Sequence, residues 1–155
     1  MYTRTVQRKT LSSRVGSVMM WPVAVVESVA TLSEVAEALA ADEVGALCVV
    51  ENGALAGIVS ERDVVTHLAA GADPEHLTVG DVMSTGLVTV GPEESALAAA
   101  RLMLEGQVRH LPVLDAGLIA GIVSMRDLFE VLVDDAGLDS VVVVPSGTRV
   151  VVAGA

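Results

Sequence analysis

Two aspartates stand in the same short phrase, which the chain contains twice: GIVSERD at residues 57–63 and GIVSMRD at residues 121–127. A carboxylate has two acceptor oxygens, spaced so that both hydroxyls of a vicinal diol can donate to it. Asp63 and Asp127 close the phrase, each where a strand pattern gives way to a helix pattern. Carboxylates at such junctions suit a ribose, so both are candidate ligand-binding residues.

The serines of the phrase have two possible roles. Ser60 and Ser124 lie where a helix is predicted to begin, and the free backbone N–H groups there, with the hydroxyl beside them, offer a site for a phosphate. Ser-x-x-Asp is also an ordinary capping box, in which the serine is the N-cap and the aspartate returns the hydrogen bond. Both roles can coexist, since one carboxylate oxygen can cap while the other faces a cleft.

The phrase belongs to a longer internal repeat. A shift of 64 residues aligns two segments without a gap, so that Val15 falls on Val79 and Gly53 on Gly117. Pro and Gly punctuate the stretch between the copies, as is typical of a linker. The repeat predicts this division: N-terminal arm 1–13, first repeat 14–70, linker 71–77, second repeat 78–135, and C-terminal tail 136–155.

Each copy predicts the order β-α-β-β-α from the change of hydrophobic period along the chain. Each such unit is too small to bury both faces of its sheet, so we expect the two units to pack sheet against sheet about a pseudo-twofold axis. The fold class is therefore α/β (α+β). The predicted strands are 23–26, 46–50, 54–59, 87–90, 110–114 and 118–123, with helices over about 31–41, 60–70, 95–105 and 124–134.

The element order, the doubled phrase and VRHLPVLDAG at residues 108–117 resemble a tandem pair of cystathionine β-synthase (CBS) domains, called a Bateman module. The resemblance covers about residues 14–135. It implies a non-enzymatic protein that senses AMP, ADP, ATP or a related adenosyl ligand in the cleft between the repeats. It also implies a homodimer shaped as a flat disc.

The resemblance assigns basic residues to the ligand's phosphates. Arg109 and His110 stand where the family places such residues, although an ion pair of Arg109 with Glu105 is the alternative. The first copy has Gly45 and Ala46 at the matching positions. We therefore expect one strong site and one that is weak or empty.

Two further arginines and four small apolar residues complete the predicted site. Arg62 and Arg126 precede the aspartates and reach either a phosphate or the other subunit. By family position, the walls for an adenine ring are supplied by residues whose alternative role is the core, namely Ala24, Val44, Val88 and Val108.

Composition excludes several other classes of function. A net charge of -11 repels nucleic acid and anionic lipid, and no apolar run approaches the ~18 residues that a membrane span needs. The lone Cys48 cannot form an internal disulfide, so the sequence does not require an oxidising compartment, which favours the cytoplasm. The three histidines show no metal-ligand spacing, and no motif marks a catalytic nucleophile, so we expect neither a metal site nor an enzyme.

The sequence thus predicts a regulatory protein that signals to a separate effector protein or through its own oligomeric state. The alternative is a ligand-independent scaffold that keeps the fold with a degenerate pocket. The C-terminal run 140–154 predicts a β-hairpin, which would pair with a sheet edge or with another subunit.

Overall fold

The computed structural model describes residues 8–136, which form two layered α/β units. This confirms the predicted fold class; the predicted C-terminal hairpin lies outside the described residues. After a 3-10 turn at Val15–Ser17, the elements are β1 (Val25–Glu27), α1 (Leu32–Asp42), β2 (Ala46–Glu51), β3 (Ala54–Ser60), α2 (Glu61–Ala69), α3 (Val79–Val82), α4 (Ala96–Gly106), β4 (His110–Asp115), β5 (Leu118–Ser124) and α5 (Met125–Asp135).

The two sheets are built around matching hairpins. In the first sheet β1 pairs in parallel with β2, and β2 pairs antiparallel with β3; in the second, β4 pairs antiparallel with β5. Asn52 and Gly53 turn the first hairpin with φ values of 51° and 78°. Such left-handed conformations are those that Asn and Gly tolerate best.

The predicted strand 87–90 is wrong, because only Val90 pairs, through a single parallel bridge to Val113. The Val90 N–H donates to the carbonyl of Pro112. A longer parallel ladder needs an N–H from Pro112 on one side of the bridge and from Pro92 on the other. Proline has no N–H, so the pairing stops at one residue in both directions.

The leading segment of each repeat pairs with the other repeat. Met20 and Ile122 exchange two backbone hydrogen bonds of 2.8 and 3.1 Å, so the chain before β1 extends the second sheet. The residues that align with this pair under the 64-residue shift are Ser84 and Ile58. They exchange backbone hydrogen bonds of 2.9 and 3.1 Å, so the chain around Ser84 extends the first sheet. The repeats are therefore interlocked rather than laid end to end.

Side chains of the exchanged segments complete the opposite cores. Val15 and Val18 are buried in the core of the second repeat, while Val79 and Val82 are buried in that of the first. A Cβ on Gly121 would collide with the side chain of Met19. The glycines of the repeated phrase thus admit a methionine from the exchanged segment.

The two sheets meet at a small apolar interface of buried Ala46, Cys48 and Ile122. This arrangement confirms the predicted packing of sheet against sheet. Burial raises the pKa of the Cys48 thiol to about 11, so it stays protonated and behaves as a small apolar side chain.

Candidate functional site

Two clefts lie between the repeats, and the 64-residue shift that relates the repeats also relates the clefts. The first, here the Asp63 cleft, has a volume of about 300 Å³. It joins the start of α2 to the second repeat. The predicted site residues that line it are Ser60, Arg62 and Asp63 from the first repeat and Val88, Val108, Arg109 and His110 from the second.

The second, here the Asp127 cleft, has a volume of about 680 Å³ and joins the start of α5 to the first repeat. Ala24 lines neither cleft and packs, partly buried, against the core of the first repeat. The predicted site residues that line the Asp127 cleft are Val44, Arg109, His110, Ser124, Arg126 and Asp127.

Both aspartates cap the helices on which they stand. Asp63 Oδ2 accepts 2.7 Å hydrogen bonds from the Ser60 N–H and hydroxyl, and the Asp63 N–H donates to Ser60 Oγ over 3.3 Å. Ser124 and Asp127 repeat this box, with the same two 2.7 Å bonds. Within residues 8–136 all of these bonds use Oδ2, so the Oδ1 atom of each aspartate has no protein donor.

The helix starts hold fewer free N–H groups than the sequence indicates. The Glu61 N–H donates to the Gly45 carbonyl over 3.0 Å, and the Met125 N–H donates to the Arg109 carbonyl over 2.8 Å. With the capping bonds, this leaves only the second helical position, Arg62 in α2, with an unused N–H. A phosphate at α2 would therefore depend mainly on side chains.

Arg109 and His110 border both clefts, contrary to the expectation that only one site would have them. The reason is that the His110 side chain, at the start of β4, lies against Gly45, just before β2. A Cβ on Gly45 would lie 3.0 Å from His110 Nε2, so the glycine leaves room for the ring. No ion pair between Arg109 and Glu105 is found in the described part of the chain.

The two clefts differ instead in the residues near their arginines. Arg126 forms an ion pair with Glu130, with Nε 3.7 Å from Oε1. At the position matching Glu130 the first repeat has Thr66, and between residues 8 and 136 no ion pair is found for Arg62. Arg62 thus has no carboxylate partner there, whereas Arg126 has one in an ion pair that is exposed to water.

Sequence reasoning missed the residues that enter the clefts from loops and strand faces. The exchange of the leading segments brings Ser84 and Leu87 into the Asp63 cleft, and no local pattern indicates that exchange. Gln107 and its counterpart Glu43 each end a helix with φ of 52° and line one cleft each. The repeat alignment contained the signal for this last pair.

Burial lowers the pKa of His110, against the opposing effect of the Asp127 and Glu61 carboxylates, which raises it. Arg109 lowers it further. The imidazole is therefore neutral at pH 7, and the fixed positive charge shared by the two clefts is that of Arg109.

Within residues 8–136 the structure has neither a metal-binding cluster nor a membrane-spanning helix. No group of three or more His, Cys, Asp or Glu side chains there could hold a metal ion. No helix there is long and apolar enough to cross a bilayer.

Comparison with known proteins identifies the fold and the repeat. The model of the CBS domain family matches the chain twice, at residues 15–70 and 79–134. The CBS domain-containing protein YhcV of Bacillus subtilis is 37% identical over 116 residues, which are 75% of this chain and 83% of that protein.

Two solved structures show the same architecture. A CBS-domain containing protein from Agrobacterium tumefaciens superposes with a TM-score of 0.70 at 28% identity, covering 76% of this chain and 98% of that chain. A CBS domain protein from Pyrobaculum aerophilum, complexed with AMP, superposes with a TM-score of 0.72 at 26% identity, covering 81% and 99%. The clefts described above are thus those of a paired α/β repeat protein, and the chain belongs to the CBS domain family.

The lowered pKa of His110 predicts that acid destabilises the protein. Below the ordinary value of 6.5 the unfolded chain takes up a proton that the folded chain resists, so the free energy of unfolding falls as the pH drops. His110→Gln should reduce this fall between pH 7.5 and 5.5, as measured by urea unfolding. An equal loss of unfolding free energy in the wild type and in the variant would contradict the assignment of this effect to His110.

Proposed function

We propose that the protein is a non-enzymatic regulator that binds an adenine nucleotide in the Asp63 cleft and responds by changing its packing. The observation that carries the proposal is the unused Oδ1 of Asp63, on a carboxylate that is anchored through Oδ2 and lines a cleft with two arginines. The AMP complex of the Pyrobaculum aerophilum protein supports the ligand class.

Each part of the nucleotide has a partner in this cleft. The capped carboxylate of Asp63 receives the ribose hydroxyls, and its cap holds it in place before the ligand arrives. Val88 and Val108 are half-buried and provide apolar surface for the base. Arg62 and Arg109 are exposed and unpaired within residues 8–136, so they are positioned to bind the phosphate.

The helices that begin at the clefts also carry exposed apolar side chains. Val65 on α2 and Phe129 on α5 occupy matching positions and are 64% and 65% exposed; Leu68 and Leu132 follow one turn later, each 45% exposed. This α2–α5 face, formed by those four residues, is where we place a second copy of the chain. A nucleotide at the start of α2 would therefore act on the homodimer through one helix.

Regulation then requires that the nucleotide favour one arrangement of the two repeats or of the two subunits. It contacts both repeats across the cleft, so its binding energy depends on their relative position. The response passes to a separate effector protein or to the oligomeric state. The cytoplasm is the proposed location, where a buried reduced thiol such as Cys48 is normal.

A ligand-independent scaffold is the second candidate. The capping boxes favour it, since they give Ser60, Asp63, Ser124 and Asp127 a structural role that needs no ligand. The scaffold and the sensor differ in whether the aspartates matter beyond the caps, which a substitution that preserves the cap can test.

Asp63→Asn should weaken AMP binding by about tenfold or more, because the amide keeps one capping oxygen and loses the charged acceptor for the ribose. Isothermal titration calorimetry measures the affinity directly. The matched control is Asp81→Asn, which changes an acid bonded to Thr78 in a similar turn and outside both clefts. Failure of the wild type to bind AMP at millimolar concentration would favour the scaffold.

Phe129→Glu should convert a dimer into monomers at micromolar concentration, since it places a charge in the α2–α5 face. Analytical ultracentrifugation measures the mass. The control is Leu104→Glu, because Leu104 is 72% exposed on α4 and is not one of these four residues. A dimer that survives Phe129→Glu but not Leu104→Glu would place the interface elsewhere.

A further inference from the structure

The two clefts carry different charges at positions that the repeat aligns. Glu43 lines the Asp127 cleft where its counterpart Gln107 lines the Asp63 cleft, and both residues end a helix in the same left-handed conformation. Glu130 lines the Asp127 cleft, and its counterpart Thr66 has no charge. The backbone thus has the same conformation at this aligned position, while two carboxylates are added to one of the clefts.

The charge balance of the Asp127 cleft disfavours a phosphate. Its lining has four carboxylates against two guanidinium groups, and Arg126 is already paired with Glu130 over 3.7 Å. The Asp63 cleft has two carboxylates against two guanidinium groups, and neither arginine is in an ion pair within residues 8–136. An anion entering the Asp127 cleft would meet carboxylates that outnumber its partners. The four carboxylates are those of Glu43, Glu61, Asp127 and Glu130.

The features that suit a nucleoside remain in the Asp127 cleft. Asp127 is capped through Oδ2 as Asp63 is, and Oδ1 has no donor among the described residues. Met20, Val44 and Ile122 supply apolar surface, and the volume of about 680 Å³ exceeds that of the other cleft. The added carboxylates therefore disfavour a phosphate by their charge and leave the surfaces for the sugar and the base in place.

We infer that the Asp127 cleft binds an adenine nucleoside without a phosphate, uncharged or positively charged, while phosphorylated adenosine goes to the Asp63 cleft. The inference rests on the proposed function, because it takes ribose binding by the repeated aspartates as given. One chain would then bind two ligands of different charge. Arg109 and His110, which border both clefts, would lie between the two bound molecules.

Adenosine and AMP differ only in the phosphate and are the probes for this inference. In calorimetric titrations Asp63→Asn should weaken AMP binding by about tenfold or more and keep adenosine binding. Asp127→Asn should keep AMP binding and lose the adenosine binding that Asp63→Asn retains. Adding Glu43→Gln and Glu130→Thr to Asp63→Asn gives the Asp127 cleft the residues of the first repeat at these two positions. The affinity of that triple variant for AMP should rise by about tenfold.

The matched control adds Glu37→Gln and Glu75→Gln to Asp63→Asn, which removes the same charge from exposed positions outside both clefts. An equal gain in this control would assign the effect to the net charge of the protein and overturn the inference. Loss of both ligands in Asp63→Asn, with AMP bound by the wild type, would overturn the inference and leave the proposed function standing. A wild type that binds neither probe would overturn both.

Discussion

The exchange of leading segments between the repeats is the constraint on which the rest of the structure depends. Val15, Val18, Val79 and Val82 are each buried in the core of the opposite repeat. Burial of a valine stabilises a fold by about 1.5–3 kcal/mol at most, so the four together are comparable with the whole stability of a small domain. Neither repeat can therefore move far from the other without losing its own core, and the clefts between them have a defined shape.

The same constraint places the proposed ligand site between the repeats. The strands that receive the exchanged segments, β3 and β5, lead directly into α2 and α5, so the capped aspartates lie at the seam between the repeats. A molecule bound there touches both halves of an interlocked body. The same two helices expose apolar side chains on their outer faces.

Much of the fold could be predicted because it rests on local patterns. The capping boxes at Thr31, Ser60 and Ser124 and the turn at Asn52 and Gly53 are visible as short motifs, and the structure contains each of them. The predicted strand at 87–90 failed because its obstacle lies partly in a distant residue. Pro112 removes a donor from the neighbouring strand, and a hydrophobic run gives no sign of that.

The candidate site was predictable in its residue types and less so in its assembly. Sequence alignment of the repeats gave Arg109 to one site, whereas the strands place it between two clefts. Ala24 was predicted from its family position and lines neither cleft. These differences arise from contacts between the repeats, which a pattern within one repeat does not contain.

The central claim is that a nucleotide lies between the repeats and bonds the oxygen that the helix cap leaves unused. A crystal structure of the protein grown with AMP tests this most directly. The account predicts the ribose hydroxyls on Asp63 Oδ1, the base against Val88 and Val108, and the phosphate near Arg62 and Arg109. A nucleotide bound outside the cleft, or a cleft that stays empty at saturating AMP with Asp63 bonded only to Ser60, would contradict it.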